Sequence, residues 1–151
     1  MDEFYMKKAL EEAYKAFSMG EVPVGAIIVK DGNIIGKGFN QRETLKDPTA
    51  HAEILAIKEA SKSLGGWRLL GCTMYVTLEP CAMCAGAIVN SRIERLVIGT
   101  RDLKRGCCGT VEDLTNHPKF NHRLGVEFGV LEEECSSILS KFFKELREKK
   151  K

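Results

Sequence analysis

Nothing in the 151 residues could cross a membrane as a helix: no apolar run approaches the roughly 20 residues that a span requires. The opening Met1-Asp2-Glu3-Phe4-Tyr5 lacks the basic start and apolar stretch of a secretory leader. The expected compartment is therefore the cytoplasm, where thiols stay reduced, and the six cysteines are not expected to form a disulfide framework. Repeats, low-complexity stretches and linkers are also missing. The expectation is a single domain over residues 1–151, large enough to bury about two thirds of its unfolded surface. Apolar residues make up 44% and charged residues 29%, as in an ordinary globular protein.

Net charge is small, +2, but unevenly placed. Residues 141–151 carry six Lys/Arg against two Glu, a net +4 that leaves −2 for the rest. One reading is a solvated basic C-terminal helix, about 131–148, with a frayed tail at 149–151. The other is an arm that tracks phosphates.

The hydrophobic pattern along the chain alternates between periods. Met6, Leu10, Ala13, Tyr14 and Phe17 have helical spacing over residues 3–18, with Asp2 as a plausible N-cap. Residues 24–29 and 34–39 flank Asp31-Gly32, a two-residue hairpin signal. A helix is expected from His51 to about Leu64, with Ile54, Leu55, Ile57 and Ala60 inward. Residues 73–78 read as a buried strand, and Pro80 is expected in the first turn of a helix running to about Arg92. Strands at 96–99 and 126–129 bracket a long irregular stretch, about 101–124. Leu131, Cys135, Ile138, Leu139, Phe142, Phe143 and Leu146 mark an amphipathic last helix. This order implies an α/β fold, a central mixed sheet with helices on both faces.

Two segments carry chemistry: His51-Ala52-Glu53 and Pro80-Cys81-Ala82-Met83-Cys84. One His and two Cys make three zinc ligands. Structural zinc sites are usually closed by four protein ligands, whereas hydrolytic sites keep one position for water and lower its pKa. Cys81 and Cys84, three residues apart at a helix start, share a face where exposed N–H groups favour thiolates. Glu53, two residues after the His, is placed to move protons beside that water. Three blander readings compete. A lone Cys-x-x-C can be redox-active, half of a structural zinc knuckle, or core. A closed structural site would need a further ligand from Cys72, Cys107, Cys108, His117 or His122. Cys135 lies on an apolar helix face and reads as core, and Cys107-Cys108 read as plain loop.

The pairing of His-x-Glu with Pro-Cys-x-x-Cys is the signature of the zinc nucleobase deaminases. The match extends beyond it. Glu21-Val22-Pro23-Val24-Gly25-Ala26, Asp47-Pro48-Thr49-Ala50-His51-Ala52-Glu53-Ile54, Tyr75-Val76-Thr77-Leu78-Glu79-Pro80-Cys81-Ala82-Met83-Cys84-Ala85-Gly86-Ala87 and Asn121-His122-Arg123 resemble the bacterial tRNA adenosine deaminase family, over about residues 4–147. The zinc motifs belong to the whole superfamily; Arg101-Asp102, Asn121-His122-Arg123 and Phe142-Phe143 discriminate more. Cys107-Cys108 stand where the family has small residues.

This resemblance implies a three-layer α-β-α cytidine-deaminase-like fold with a five-stranded mixed sheet, one deaminase domain over 1–151. It implies one zinc ion held by His51, Cys81 and Cys84, and Glu53 as proton shuttle. Asn40 would read the flipped base, Asp102 would touch the RNA near the target nucleotide, and Phe143 and Arg147 would hold the anticodon loop. For Phe142 and Phe143 core packing competes with that role, and for Asn40 a strand-end turn. The implied reaction is hydrolytic deamination of adenosine to inosine at wobble position 34 of a tRNA anticodon stem-loop, mainly an arginine tRNA, by a cytoplasmic homodimer. Two alternatives share the motifs: a zinc deaminase of a free base or nucleoside such as guanine or cytosine, and a non-catalytic zinc or RNA-binding module.

Overall fold

The computed structural model describes residues 1–150. Among them the elements follow as α1 (Asp2–Ser18), β1 (Gly25–Lys30), β2 (Asn33–Phe39), α2 (Ala52–Leu64), β3 (Cys72–Leu78), α3 (Ala82–Asn90), β4 (Arg95–Thr100), β5 (Gly125–Phe128) and α4 (Glu132–Lys149). The last helix thus runs one residue further than expected. Lys151, the end of the expected frayed tail, lies outside the described residues.

The five strands lie in the order β2-β1-β3-β4-β5. β1 is antiparallel to β2 and β3, while β3–β4 and β4–β5 are parallel, so the sheet is mixed as expected. Successive side chains on a strand point to opposite faces, and this alternation builds two cores. Ala26, Ile28, Met74, Val76, Leu96 and Ile98 face α2 and α3. Ile27, Val29, Tyr75 and Val97 face α1 and, through Cys135 and Ile138, α4. The predicted three layers result. Asp31 and Gly32, with φ 49° and 77°, both take the left-handed conformation that a tight hairpin requires.

One expectation about packing is corrected. The buried residues of α2 are Ala52, Glu53, Ala56 and Ala60, while Ile54, Leu55 and Ile57 are only half-buried. The reason is the seat. A Cβ at Gly36 or Gly38 of β2 would collide with the backbone of Ala56 or Ala52. The helix therefore rests almost on bare strand, and only alanines fit between.

Two helix starts also differ. Met1, not Asp2, precedes α1. Asp2 instead accepts hydrogen bonds from Nη1 and Nη2 of Arg95, at 3.0 and 2.6 Å, and from the Tyr75 hydroxyl at 2.7 Å. Pro80 lies before α3 rather than in its first turn, because the chain stays extended through Cys81 (ψ −179°) and the Pro80 carbonyl accepts the Cys107 N–H at 2.9 Å. The helix ends at Asn90, short of Arg92, whose φ is 64°.

Candidate metal centre and substrate cavity

His51 and Cys81 hold equivalent places: each is the extended residue immediately before a helix, and neither side chain caps its own helix. Residues there are usually Ser, Thr, Asp or Asn, whose oxygen bonds the helix N–H groups. An imidazole and a thiol are spared for another use. They face each other across the gap between α2 and α3. Cys81 Sγ lies 3.7 Å and Cys84 Sγ 3.5 Å from His51 Nδ1.

Those separations suit zinc. Tetrahedral bonds of about 2.0–2.3 Å place a nitrogen and a sulfur ligand roughly 3.5 Å apart. The three ligand atoms lie within 4.8 Å of one another, and among the described residues no fourth His, Cys, Asp or Glu joins them. The other candidates are engaged elsewhere or lie apart. His122 Nε2 donates to the Ile93 carbonyl at 2.7 Å, and His117 stacks on Phe120. Cys72 and Cys108 are buried free thiols outside the cluster, and Cys107, a half-buried free thiol, lines a smaller cavity with His51 and Cys81 without joining them; Cys135 is buried in the core as expected.

The donors are electrostatically prepared. Hydrogen bonding from Cys84, and then from His51, pulls the Cys81 thiol down to about 3. Cys84 is pushed up, first by the same pairing and then by burial, so the two sulfurs share a proton that metal binding would displace. Cys81 also holds His51 above its ordinary value, against the effect of burial.

Glu53 is 4% exposed, in the first turn of α2. Burial pushes its carboxyl up to about 7, with the negative Cys81 adding to the rise. It lines a cavity of about 560 Å³ together with His51 and Cys81. The smaller cavity, of about 370 Å³, shares His51, Cys81, Lys104 and Arg105 with it.

Of the remaining expected residues, Asn40, Asp102 and Phe143 line the larger cavity. Asn40 is buried; its Nδ2 donates to the Val22 carbonyl at 3.1 Å and its Oδ1 accepts the Arg42 N–H at 3.2 Å. It is both a turn residue and a cavity residue. Asp102 Oδ1 accepts the N–H groups of Lys104 and Arg105 at 3.1 and 3.0 Å. The phenylalanine pair divides its duties. Phe142 is buried against Phe17, whereas Phe143, 40% exposed, borders the cavity. Arg147, one turn further along α4, is exposed and does not border it.

Sequence reasoning missed two buried carboxylates. Glu21, 2% exposed, accepts the N–H groups of Glu43 and Thr44 at 3.2 and 2.6 Å and the Thr44 hydroxyl at 2.7 Å. Burial raises its pKa, but these bonds outweigh that and the net shift is downward. Glu79 holds the opposite loop. The available signal was an acidic residue ending an apolar strand, at Leu78-Glu79-Pro80. The cavity rim adds Arg42, Arg101, Lys104 and Arg105, an excess of cations.

Comparison with known proteins places this arrangement. The profile of the MafB19-like deaminases matches residues 1–147. The tRNA-specific adenosine deaminase of Bacillus subtilis (strain 168) is 57% identical over 150 residues, which is 99% of this chain and 93% of the relative. That of Aquifex aeolicus (strain VF5) is 54% identical over 145 residues, 96% of this chain and 95% of the relative. A solved structure from biochemical and structural studies of A-to-I editing by tRNA:A34 deaminases at the wobble position superposes with a TM-score of 0.87. It is 43% identical, with 90% of this chain and 99% of that one covered.

Proposed function

Since this chain belongs to the MafB19-like deaminase family and, within it, to the tRNA-specific adenosine deaminases, we propose that it hydrolyses adenosine to inosine at wobble position 34 of tRNA. The observation that carries the chemistry is the triangle of His51, Cys81 and Cys84, without a fourth ligand among the described residues, beside buried Glu53 in one cavity.

His51 Nδ1 and the two sulfurs would hold one zinc ion per chain, which when bound would supply the Lewis acidity that lowers the pKa of the attacking water. Glu53 takes the proton that water gives up and delivers it to the adenine ring nitrogen. It then moves a second proton to the departing ammonia. Its burial keeps bulk water from short-circuiting that transfer. Asn40 retains one amide hydrogen and one carbonyl lone pair beyond its two backbone bonds, enough to fix the edge of an incoming base. Phe143, held edge-on by Phe142 at 5.4 Å, offers a face on which a loop base stacks. Asp102 on the opposite wall meets the RNA near the target nucleotide. Arg147 and the cations at the rim follow the phosphates.

The same reading includes a homodimer working in the cytoplasm on an arginine tRNA; the family resemblance supports it. The test is an anticodon stem-loop with adenosine at the wobble position, followed by mass spectrometry of its nucleosides. Inosine is expected there. An unchanged stem-loop together with turnover of free guanine or cytosine would replace this reading by that of a free-base deaminase.

A further inference from the structure

Glu79 stands at the junction between the metal cage and the loop that rims the cavity. It follows β3 and lies two residues before Cys81, and its side chain is 2% exposed. Among the described residues it forms no ion pair with Lys or Arg. A buried carboxylate without a cation must be satisfied by hydrogen bonds. All of them come from one loop. Oε1 accepts the Asp102 N–H at 3.1 Å and the Thr110 hydroxyl. Oε2 accepts the N–H groups of Cys108 and Thr110 at 3.0 and 3.1 Å. The main chain adds a clamp on each side, Glu79 N–H to the Thr100 carbonyl and Cys107 N–H to the Pro80 carbonyl, both at 2.9 Å.

The loop is wrapped around this carboxylate. Gly106 passes so close that a Cβ would run into the carboxyl group of Glu79. Asp102 then gathers the backbone of Lys104 and Arg105, and its own carbonyl accepts the Gly106 N–H at 3.0 Å. The result is a tight turn that carries Asp102, Leu103, Lys104 and Arg105 to the cavity mouth, with Leu103 79% exposed at its tip.

We infer that Glu79 is a positioning residue: it fixes the loop of residues 101–110 in the shape that grips RNA, and so governs substrate affinity rather than the chemical step. Both oxygens already accept two donors, which leaves no lone pair for substrate. A glutamine cannot replace it, because its amide would turn N–H groups toward N–H groups. The inference rests on the tRNA deaminase reading, yet part of its test needs no substrate.

Glu79→Gln in the zinc-loaded full chain should keep one zinc per chain and a kcat within about threefold of the parent. KM for the stem-loop should rise about tenfold or more, as expected for losing a charge-assisted hydrogen bond. Hydrogen exchange should quicken at the amides of residues 102–110 and stay unchanged in α2 and α3. If that variant fails to fold, Thr110→Val removes the hydroxyl that donates to Glu79 and accepts from Arg101 Nη1 at 3.0 Å; it should raise KM severalfold and quicken exchange at residues 102–110, while Thr110→Ser restores both bonds, the parental exchange and the parental KM. Unchanged KM with unchanged loop exchange would overturn the inference. So would a parallel fall in kcat and zinc content, which marks a general structural role. A parent enzyme that forms no inosine would instead defeat the functional reading, and the exchange measurement would still judge Glu79.

Discussion

The two sides of the cavity are built by different means. On one side His51, Glu53, Cys81 and Cys84 sit at the starts of α2 and α3, and their positions follow from where those helices rest on the sheet. On the other, residues 40–47 and 101–112 have no regular structure, and a buried carboxylate gathers each: Glu21 the first, Glu79 the second. The metal side inherits its geometry from packing. The loop side inherits it from hydrogen bonds to main-chain N–H groups. In the proposed function the chemistry thus stands on packed helices, and the surface offered to RNA stands on hydrogen-bonded loops.

The largest effects should come from the helix side. Glu53→Gln should keep its zinc, read by metal analysis, and lose about a thousandfold in turnover of the stem-loop, near the middle of the range for a general acid–base group. Cys81→Ala should lose metal and activity together, since the Cys84–His51 pair that remains supplies only two ligands. A Glu53→Gln enzyme at full rate, or a Cys81→Ala protein with parental zinc content, would break the assignment.

A middle effect concerns the seat of α2. Gly38→Ala should cost about 2 kcal/mol of stability by overpacking, read by chemical denaturation, and should disturb zinc binding because Ala52 adjoins His51. Gly66, where an added Cβ meets nothing within 4 Å, is the matched control, and its alanine variant should change stability by less than about 0.5 kcal/mol. Equal effects at the two positions would remove the close-packed seat from the explanation.

The smallest effect is remote from both sides. The paired Arg95 guanidinium holds Asp2 at about 2, well below its ordinary 3.8, despite a rise from burial. A depressed carboxylate stabilises the fold above its unfolded pKa and loses that contribution as pH falls through its folded one. The advantage of the parent over Asp2→Asn should therefore be full above about pH 4 and fade toward pH 2, by about 1 kcal/mol or less for this partly exposed pair. A difference that does not vary with pH would exclude the ion pair as its source.

The helix side was also the more legible in the sequence. His51, Glu53, Cys81 and Cys84 could be read because ligand spacing reflects helix geometry, which is local. That both faces of the sheet are covered followed from the order of elements around the apolar runs at 24–29, 73–78 and 96–99. The packing of α2 did not, because Ile54 and Leu55 look like core until Gly36 and Gly38 bring the strand too close for them. Glu21 and Glu79 stayed hidden for a different reason. Apart from the Thr44 and Thr110 hydroxyls, their partners are main-chain amides 22 to 31 residues away, which exist in every sequence and signal nothing. Phe142 and Phe143 are adjacent and chemically identical, so only the register of α4 on α1 could send one inward and the other to the cavity.

Because Glu79 collects its loop by the backbone and by Thr110 alone, it is indifferent to the side chains at Leu103, Lys104 and Arg105. Those three positions form an interchangeable cassette between fixed anchors. Libraries confined to them could retune which polynucleotides are accepted while the reactive centre stays as it is.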